Sequence, residues 1–368
     1  MASIAISFLV MIIAISVSSG FRREIRAGIS TISGDIQLIP LDQNFLTEDQ
    51  PIDRSVPWLT AVQEVDGVRE TVPAVYRPGI IKHGDRIHGV LFKGVPGGGD
   101  SLGVSVPSRL AGLLGVEPGD PLLTYFIGEK VKVRRFRVQS VYQSVLSSDD
   151  NLVVFAGLED MQRLNGWDST QVSALELLVE ERCRDNAVLT ALTADVGTRL
   201  IQHTPEDAEG VLAVSVLSKY PQIFSWLDLI DTNVLFILLL MTVVAGFNMI
   251  SGLLILLFRN ISTIGTLKSM GMTDRHISEV FLRVAAVLVG KGMLIGNALA
   301  GLFCLIQGKT HLIHLDPENY FLSFVPVHLP LPTLLAVDLG AFLAIMLLLL
   351  IPCLFVSRVD PAKTVRSQ

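Results

Sequence analysis

The chain has 368 residues, half of them hydrophobic and only 17% charged, with a formal net charge of −6. That is too apolar for an ordinary soluble chain and implies a membrane protein, with no nucleic-acid partner expected. The three cysteines exclude a disulfide framework, because Cys304 and Cys353 fall in apolar runs and Cys183 stands alone in the polar part of the chain.

In chain order, the first apolar run occupies residues 1–20 and predicts a transmembrane helix, since about 20 residues cross a hydrocarbon core of about 30 Å. A cleaved signal peptide is the alternative, raised by the small residues Ser18, Ser19 and Gly20. Against it, no basic segment precedes the run, which is longer than a typical signal core. Residues 21–228 carry most of the Asp, Glu, Pro and Gly, and are long enough for one or two subdomains with their own core. Within them "DIQLIP", "ETVPAVYRPGII", "RIHGVLFKGV", "KVKVRRFRVQSVY", "NLVVFAG" and "SALELLVE" predict strands, being β-branched or alternating runs bounded by Gly, Pro and Asp. "SVPWLTAVQEVDGV", "SVPSRLAGLLGVEPGD" and "GLEDMQRLNGW" predict short helices, the first two opened by Ser with Pro two residues later. A large mixed α/β extracytoplasmic domain is expected here. "GVPGGGDS" at 94–101 lacks the Lys-Ser/Thr of a phosphate-binding loop and reads as a surface loop.

Three further apolar runs predict transmembrane helices at 229–258, 281–306 and 333–356. The loop 259–280 and its flank hold Arg259, Lys268, Arg275 and Arg283, and the tail 357–368 holds Arg358, Lys363 and Arg366, whereas the loop 307–332 has only Lys309. Loop 259–280 and the tail are therefore cytoplasmic, and 21–228 and 307–332 lie outside. Arg22, Arg23 and Arg26 fall on the outer side against this rule. A cytoplasmic segment ahead of Met1 would supply opposing charge, and long domains cross largely regardless of charge. "HLIHLD" sets His311, His314 and Asp316 near the outer face without the Glu and spacing of a zinc hydrolase, so no metal site is expected. No Walker A motif occurs, so ATP is not hydrolysed by this chain through that motif; no catalytic residue and no cofactor are expected.

Four polar residues lie within the spans: Asn248, Lys291, Asn297 and Asp338. Such residues face a bundle interior or an aqueous cavity, with snorkelling to the cytoplasmic side as the alternative for Lys291. A rise of about 1.5 Å per residue levels Asn248 with Lys291 and Asn297 with Asp338, and separates Lys291 from Asp338 by about 11 Å, too far for a salt bridge. Gly292, Gly296 and Ala300 repeat at the spacing that lets helices approach closely, so that face is expected to meet another helix.

Around the 259–280 loop, "IGTLKSMGMTDRHISEVFL" resembles the cytoplasmic loop of the MacB/FtsX-like ABC transporter permeases. "FRREIRAGISTISGDIQL" is similar to the exit from their first span, "SRLAGLLGVEPGDPL" to a helix-turn of their external domain, and "SRVDPAKTVRSQ" to their terminal signature. "LDPENYF" and "VPVHLP" are similar to the lipoprotein-releasing (LolC/LolE type) members. The resemblance implies a non-catalytic permease subunit in the inner membrane of a Gram-negative bacterium. Its partners would be a separate ABC ATPase, a second permease copy or a paralogue, membrane lipids and a lipoprotein cargo. A periplasmic lipoprotein chaperone is a further partner of such permeases, although "LLTYFIGEKVKVRRFRV" is short for the hairpin that docks it. Control of a cell-wall hydrolase in the manner of the FtsX type, or export of another amphipathic substrate, are the alternatives.

Under this resemblance the 259–280 loop is a coupling helix. Ile264, Leu267 and Met270 would enter a groove of the ATPase, with Lys268 on the rim, Gly271 ending the helix, Thr273 and Asp274 capping the next one, and Arg275 beside the contact. The plainer alternative is a basic anchor with its apolar residues at the headgroups. Members usually carry a cytoplasmic amphipathic segment before the first span. Met1 lies inside the apolar run here, so the chain is expected to be truncated or its start misassigned.

Overall fold

The computed structural model describes residues 1–41, 51–98, 101–128, 130–144, 152–205, 210–316, 320 and 322–355. Expectations for the 357–368 tail, for Gly99 and Asp100 of the glycine-rich loop and for most of "PENYF" fall outside these residues. The chain divides into an apolar unit, Met1–Arg23 with Trp226–His314 and Phe324–Gln368, and an α/β unit, Glu24–Ser225 with Leu315–Ser323.

In the α/β unit the first strands are β1 (Ile36–Pro40), β2 (Ile52–Asp53), β3 (Val68–His83), β4 (Arg86–Val95) and β5 (Gly103–Pro107). They are followed by β6 (Pro121–Phe126), β7 (Lys132–Tyr142), β8 (Val153–Gly157), β9 (Gln171–Val172), β10 (Ala174–Val179) and β11 (Val211–Ser215). Among the described residues the main sheet runs β11-β1-β10-β3-β4-β8-β5-β7-β6, and a further β3–β6 pairing closes its last six strands into a barrel. The sixteen-residue β3 makes this possible: its first half pairs with β10, and its second half pairs with β4 and, at Ile80–Lys82, with β6. Phe92, Phe126 and Phe136 fill the interior with ring centroids 5.1–6.2 Å apart. Gly79 leaves room for them, since a Cβ there would stand 3.0 Å from the Phe126 ring.

Three short helices match the expected segments: α2 (Pro57–Gln63), α3 (Ser108–Leu114) and α4 (Leu158–Asn165). The serines do not open the first two as capping residues. Val56 and Pro107 stand at the N-cap positions, and Ser55 instead hydrogen-bonds Asp53. Gly115 and Gly166 end α3 and α4 in the left-handed conformation, which glycine adopts without a Cβ penalty. A fourth helix, α5 (Asn186–His203), buries Leu189, Leu192, Val196 and Leu200 at helical spacing, and α6 (Val216–Lys219) follows β11.

Among the described residues four helices are long and apolar enough to cross a membrane: α1 (Ala2–Ser33), α7 (Pro221–Arg259), α9 (Asp274–Thr310) and the stretch Leu331–Pro352. A nine-residue helix, α8 (Ile261–Ser269), lies between α7 and α9. The last stretch is divided into α10 (Leu331–Leu348) and α11 (Leu350–Phe355), where Pro352 has no N–H to offer the Leu348 carbonyl. Three helices outrun their apolar windows, α1 by thirteen residues beyond 20. The window marks what lipid demands, whereas backbone hydrogen bonding continues through good helix formers such as Glu24, Arg26 and Ala27.

α1 is the central helix of the apolar unit, with 61% of its apolar window buried against 17–28% for the others. Ile4, Phe8 and Met11 join Ala245, Met249, Leu253 and Leu257 of α7, Phe281, Ala285 and Val289 of α9, and Ala341 and Ile345 of α10 in one cluster. Ile12 and Ile15 meet Ala300 and Leu334 in a second.

Candidate functional site

The loop after α7 forms a compact turn-helix. Gly271, at φ 92°, reverses the chain after α8, with its N–H donating to the Lys268 carbonyl and the N–H of Met272 to that of Leu267. Thr273 stands at the N-cap of α9 but makes no side-chain cap; its hydroxyl meets His276 Nδ1 at 2.7 Å. Asp274, in the first turn, forms a 2.7 Å ion pair with Lys268, whose side chain is only 10% exposed.

The expected partner-facing set therefore splits. Ile264 is 2% exposed and packs in the chain's own cluster with Ile277 and Phe281, so it cannot also fill a partner's groove. Lys268 is not on a rim, because the turn folds Asp274 back onto it. Leu267 is half-buried, Gly271 and Arg275 are exposed, and Met270 is 78% exposed. The outward stripe is Ser262, Thr263, Thr266, Ser269 and Met270. The Thr266 and Ser269 hydroxyls donate to their own helix backbone, leaving a smooth face with a Met knob at one end. Serine and threonine at i, i+4 and i+7 were the sequence signal for this face.

Gly292, Gly296 and Ala300 all lie on the buried face of α9 toward α1. A Cβ on Gly292 would stand 2.8 Å from Ile4 Cγ2, and one on Gly296 would stand 2.5 Å from the Ala5 carbonyl oxygen. Asn297 Nδ2 donates to Asp338 Oδ2 between α9 and α10. The depth-matched pairing of Asn248 with Lys291 is not formed. Asn248 donates to Ser3 Oγ on α1 at 2.6 Å, and Lys291 is exposed with no ion pair among the described residues, to Asp338 or otherwise. Depth levelled the two side chains, but helix rotation turned them to different neighbours. Of the histidines expected near the outer face, His311 ends α9 and stands edge-on to Phe324, and His314 Nδ1 lies 3.2 Å from the Leu312 carbonyl.

The arginines that break the charge rule meet partners locally. Arg22 bonds Asp228 at 3.0 Å and also Asp231, both on α7. Arg26 donates to Asn186 Oδ1 at 3.1 Å and lies over the Phe224 ring.

Residues 235–361, which hold α8, α9, α10 and the small-residue face, match the FtsX-like permease C-terminal family. This part of the chain is similar to an FtsX-like permease domain. The chain is also similar to lipoprotein-releasing system transmembrane protein LolC of Xylella fastidiosa, 22% identical over 395 aligned residues covering 99% of this chain and 92% of that protein. LolC of Neisseria meningitidis is 23% identical and covers 88% of this chain and 83% of its own length. Among solved structures, the extracellular domain of the transporter YknZ from Gram-positive bacteria aligns with 49% of this chain and 99% of itself, at 10% identity and a TM-score of 0.32. The periplasmic region of MacB from Actinobacillus actinomycetemcomitans aligns with 52% of this chain and 93% of itself, at 12% identity and a TM-score of 0.31. The family match includes the 259–280 loop whose motif resembles these permeases.

Proposed function

We propose that this chain is the permease subunit of a lipoprotein-releasing ABC transporter in the inner membrane of a Gram-negative bacterium, with ATP hydrolysed on a separate subunit. The observation that carries this reading is its alignment, over 99% of its length, with transmembrane proteins of lipoprotein-releasing systems. In this scheme α8 presents Ser262, Thr263, Thr266, Ser269 and Met270 to the ATPase on the cytoplasmic side. A push on α8 passes through the Gly271 turn, braced by Lys268 and Asp274, into α9. α9 is seated closely on α1 at Gly292 and Gly296, which bring no side chain of their own to the contact with Ile4, Ala5 and Phe8, so the two helices move together. A second permease, identical or paralogous, completes the assembly, and the acylated cargo leaves the outer leaflet between the two. The chain breaks no covalent bond.

Reconstitution tests this. Proteoliposomes holding the permease pair, the ATPase and a triacylated lipoprotein are expected to release the lipoprotein to a soluble acceptor only when ATP is hydrolysed. Stimulated ATPase activity with the lipoprotein retained would turn the reading toward an ATP-driven regulator of another external protein.

A further inference from the structure

Deepening that reading, and resting on it for the functional step, the α/β unit holds a buried ionic cluster that no step above uses. Lys93 on β4 has a side chain 2% exposed, and its ammonium donates to Glu176 Oε2 at 2.8 Å and to the carbonyls of Thr31 at 3.0 Å and Ile32 at 2.9 Å. These carbonyls belong to the last turn of α1, where helices leave acceptors unsatisfied and carry partial negative charge. The Tyr76 hydroxyl lies within hydrogen-bonding distance of both Glu176 Oε1 and the Ile32 carbonyl, and accepts from Gln37 Nε2 at 2.9 Å. Gln37 Oε1 in turn accepts from Lys219, whose ammonium reaches inward from the surface at the end of α6, two residues before α7. Val216 N–H donates to the Asp35 carbonyl at 3.0 Å.

Both chain connections of the α/β unit therefore converge on one cluster: residues 31–35 leaving α1 and residues 216–220 leading to α7. We propose that this cluster is a clamp that fixes both connections to the same sheet, so that a displacement carried by α1 reaches β4 and β10 undiminished. An apolar core holds strands together at least as well as a buried ion pair. What the ion pair adds is direction, since the three ammonium donors aim at Glu176 and at two named carbonyls of α1. Lys93, Glu176, Tyr76 and Lys219 are positioning residues.

The test uses the full chain in nanodiscs with its ATPase, comparing wild type with Lys93→Met, Glu176→Gln and the milder Lys219→Met by hydrogen exchange. Amides of Gly34, Asp35 and Val216 are expected to exchange at least about tenfold faster in each variant, while barrel amides in β4 to β8 stay protected. ATP hydrolysis should continue while lipoprotein release per ATP falls. If Lys93→Met raises exchange everywhere it has lost its fold, and Lys219→Met then decides. Unchanged exchange at 34–35 in Lys219→Met overturns the clamp. Local opening with release per ATP unaltered overturns its transmitting role. Absence of ATP-dependent release in wild type would instead refute the transport reading, leaving the exchange result to judge the clamp alone.

Discussion

Asn297 on α9 and Asp338 on α10 are hydrogen-bonded to each other through Nδ2 and Oδ2, a polar contact between two apolar helices. Asp338 is 8% exposed, and the amide oxygen of Asn297 is buried without a protein partner among the described residues. Such interhelical bonds contribute about 0.6–2 kcal/mol in lipid. Asp338→Leu should lower thermal stability in detergent by about that amount, and Asp338→Asn by less, with release per folded molecule unchanged in both. Equal losses in the two variants, or none in either, would contradict a role in joining the helices.

The seat of α9 on α1 predicts a contrast between two glycines on one helix. Gly296→Val drives a side chain into the Ala5 carbonyl and Phe8, and overpacking of this kind costs about 1–3 kcal/mol. Gly301→Ala meets no atom within 4 Å and should be neutral or slightly stabilising. Melting curves of the purified permease compare them directly; equal behaviour would refute the close approach.

Two charge substitutions on α8 should fail in different ways. Ile264→Glu buries a carboxylate in the chain's own cluster, at a cost of at least ~2 kcal/mol, and should reduce the yield of folded protein. Met270→Glu stays solvated and should fold normally, yet weaken ATPase binding at least tenfold, about 1.4 kcal/mol. Co-purification measures both. Full ATPase recovery with Met270→Glu would remove the outward stripe from the contact.

Lys219 makes stability depend on pH. Desolvation of its ammonium pushes the pKa down from 10.5 to about 8, with Lys93 adding to the fall and Glu176 opposing it. Between about pH 8 and 10.5 the unfolded chain keeps a proton that the folded chain has released, so this group makes stability rise with pH across that window. The thermal midpoint of wild type relative to Lys219→Met should therefore climb from about pH 7.5 to 9.5. A flat or falling difference would refute it.

Topology is tested at the β3–β4 turn. With Cys353 replaced by Ser and the native Cys183 and Cys304 buried, a cysteine in place of the exposed Asp85 should react with an impermeant thiol reagent in intact spheroplasts. Labelling only after lysis would place the α/β unit inside the cell.

Local pattern made much of this protein legible. The run "RIHGVLFKGV" is β4 from end to end, and the apolar runs mark four helices, because hydropathy and β-branching act over a few residues and need no distant partner. The short strands β5, β6 and β11 carry weaker patterns and exist through their pairings; β6 is held between β7 and the far half of β3, some forty residues away in the chain. The candidate site divides in the same way. Gly271 as a helix stop and the small residues on α9 follow from backbone sterics that glycine reveals by itself. The inward turn of Ile264, the folding of Asp274 onto Lys268 and the bond from Asn248 to Ser3 depend on the azimuth of each helix. Azimuth is set by packing among α1, α7, α8 and α9 together. Spacing along one helix measures depth and face, but which neighbour a face meets is decided only when all the helices compete for the same core.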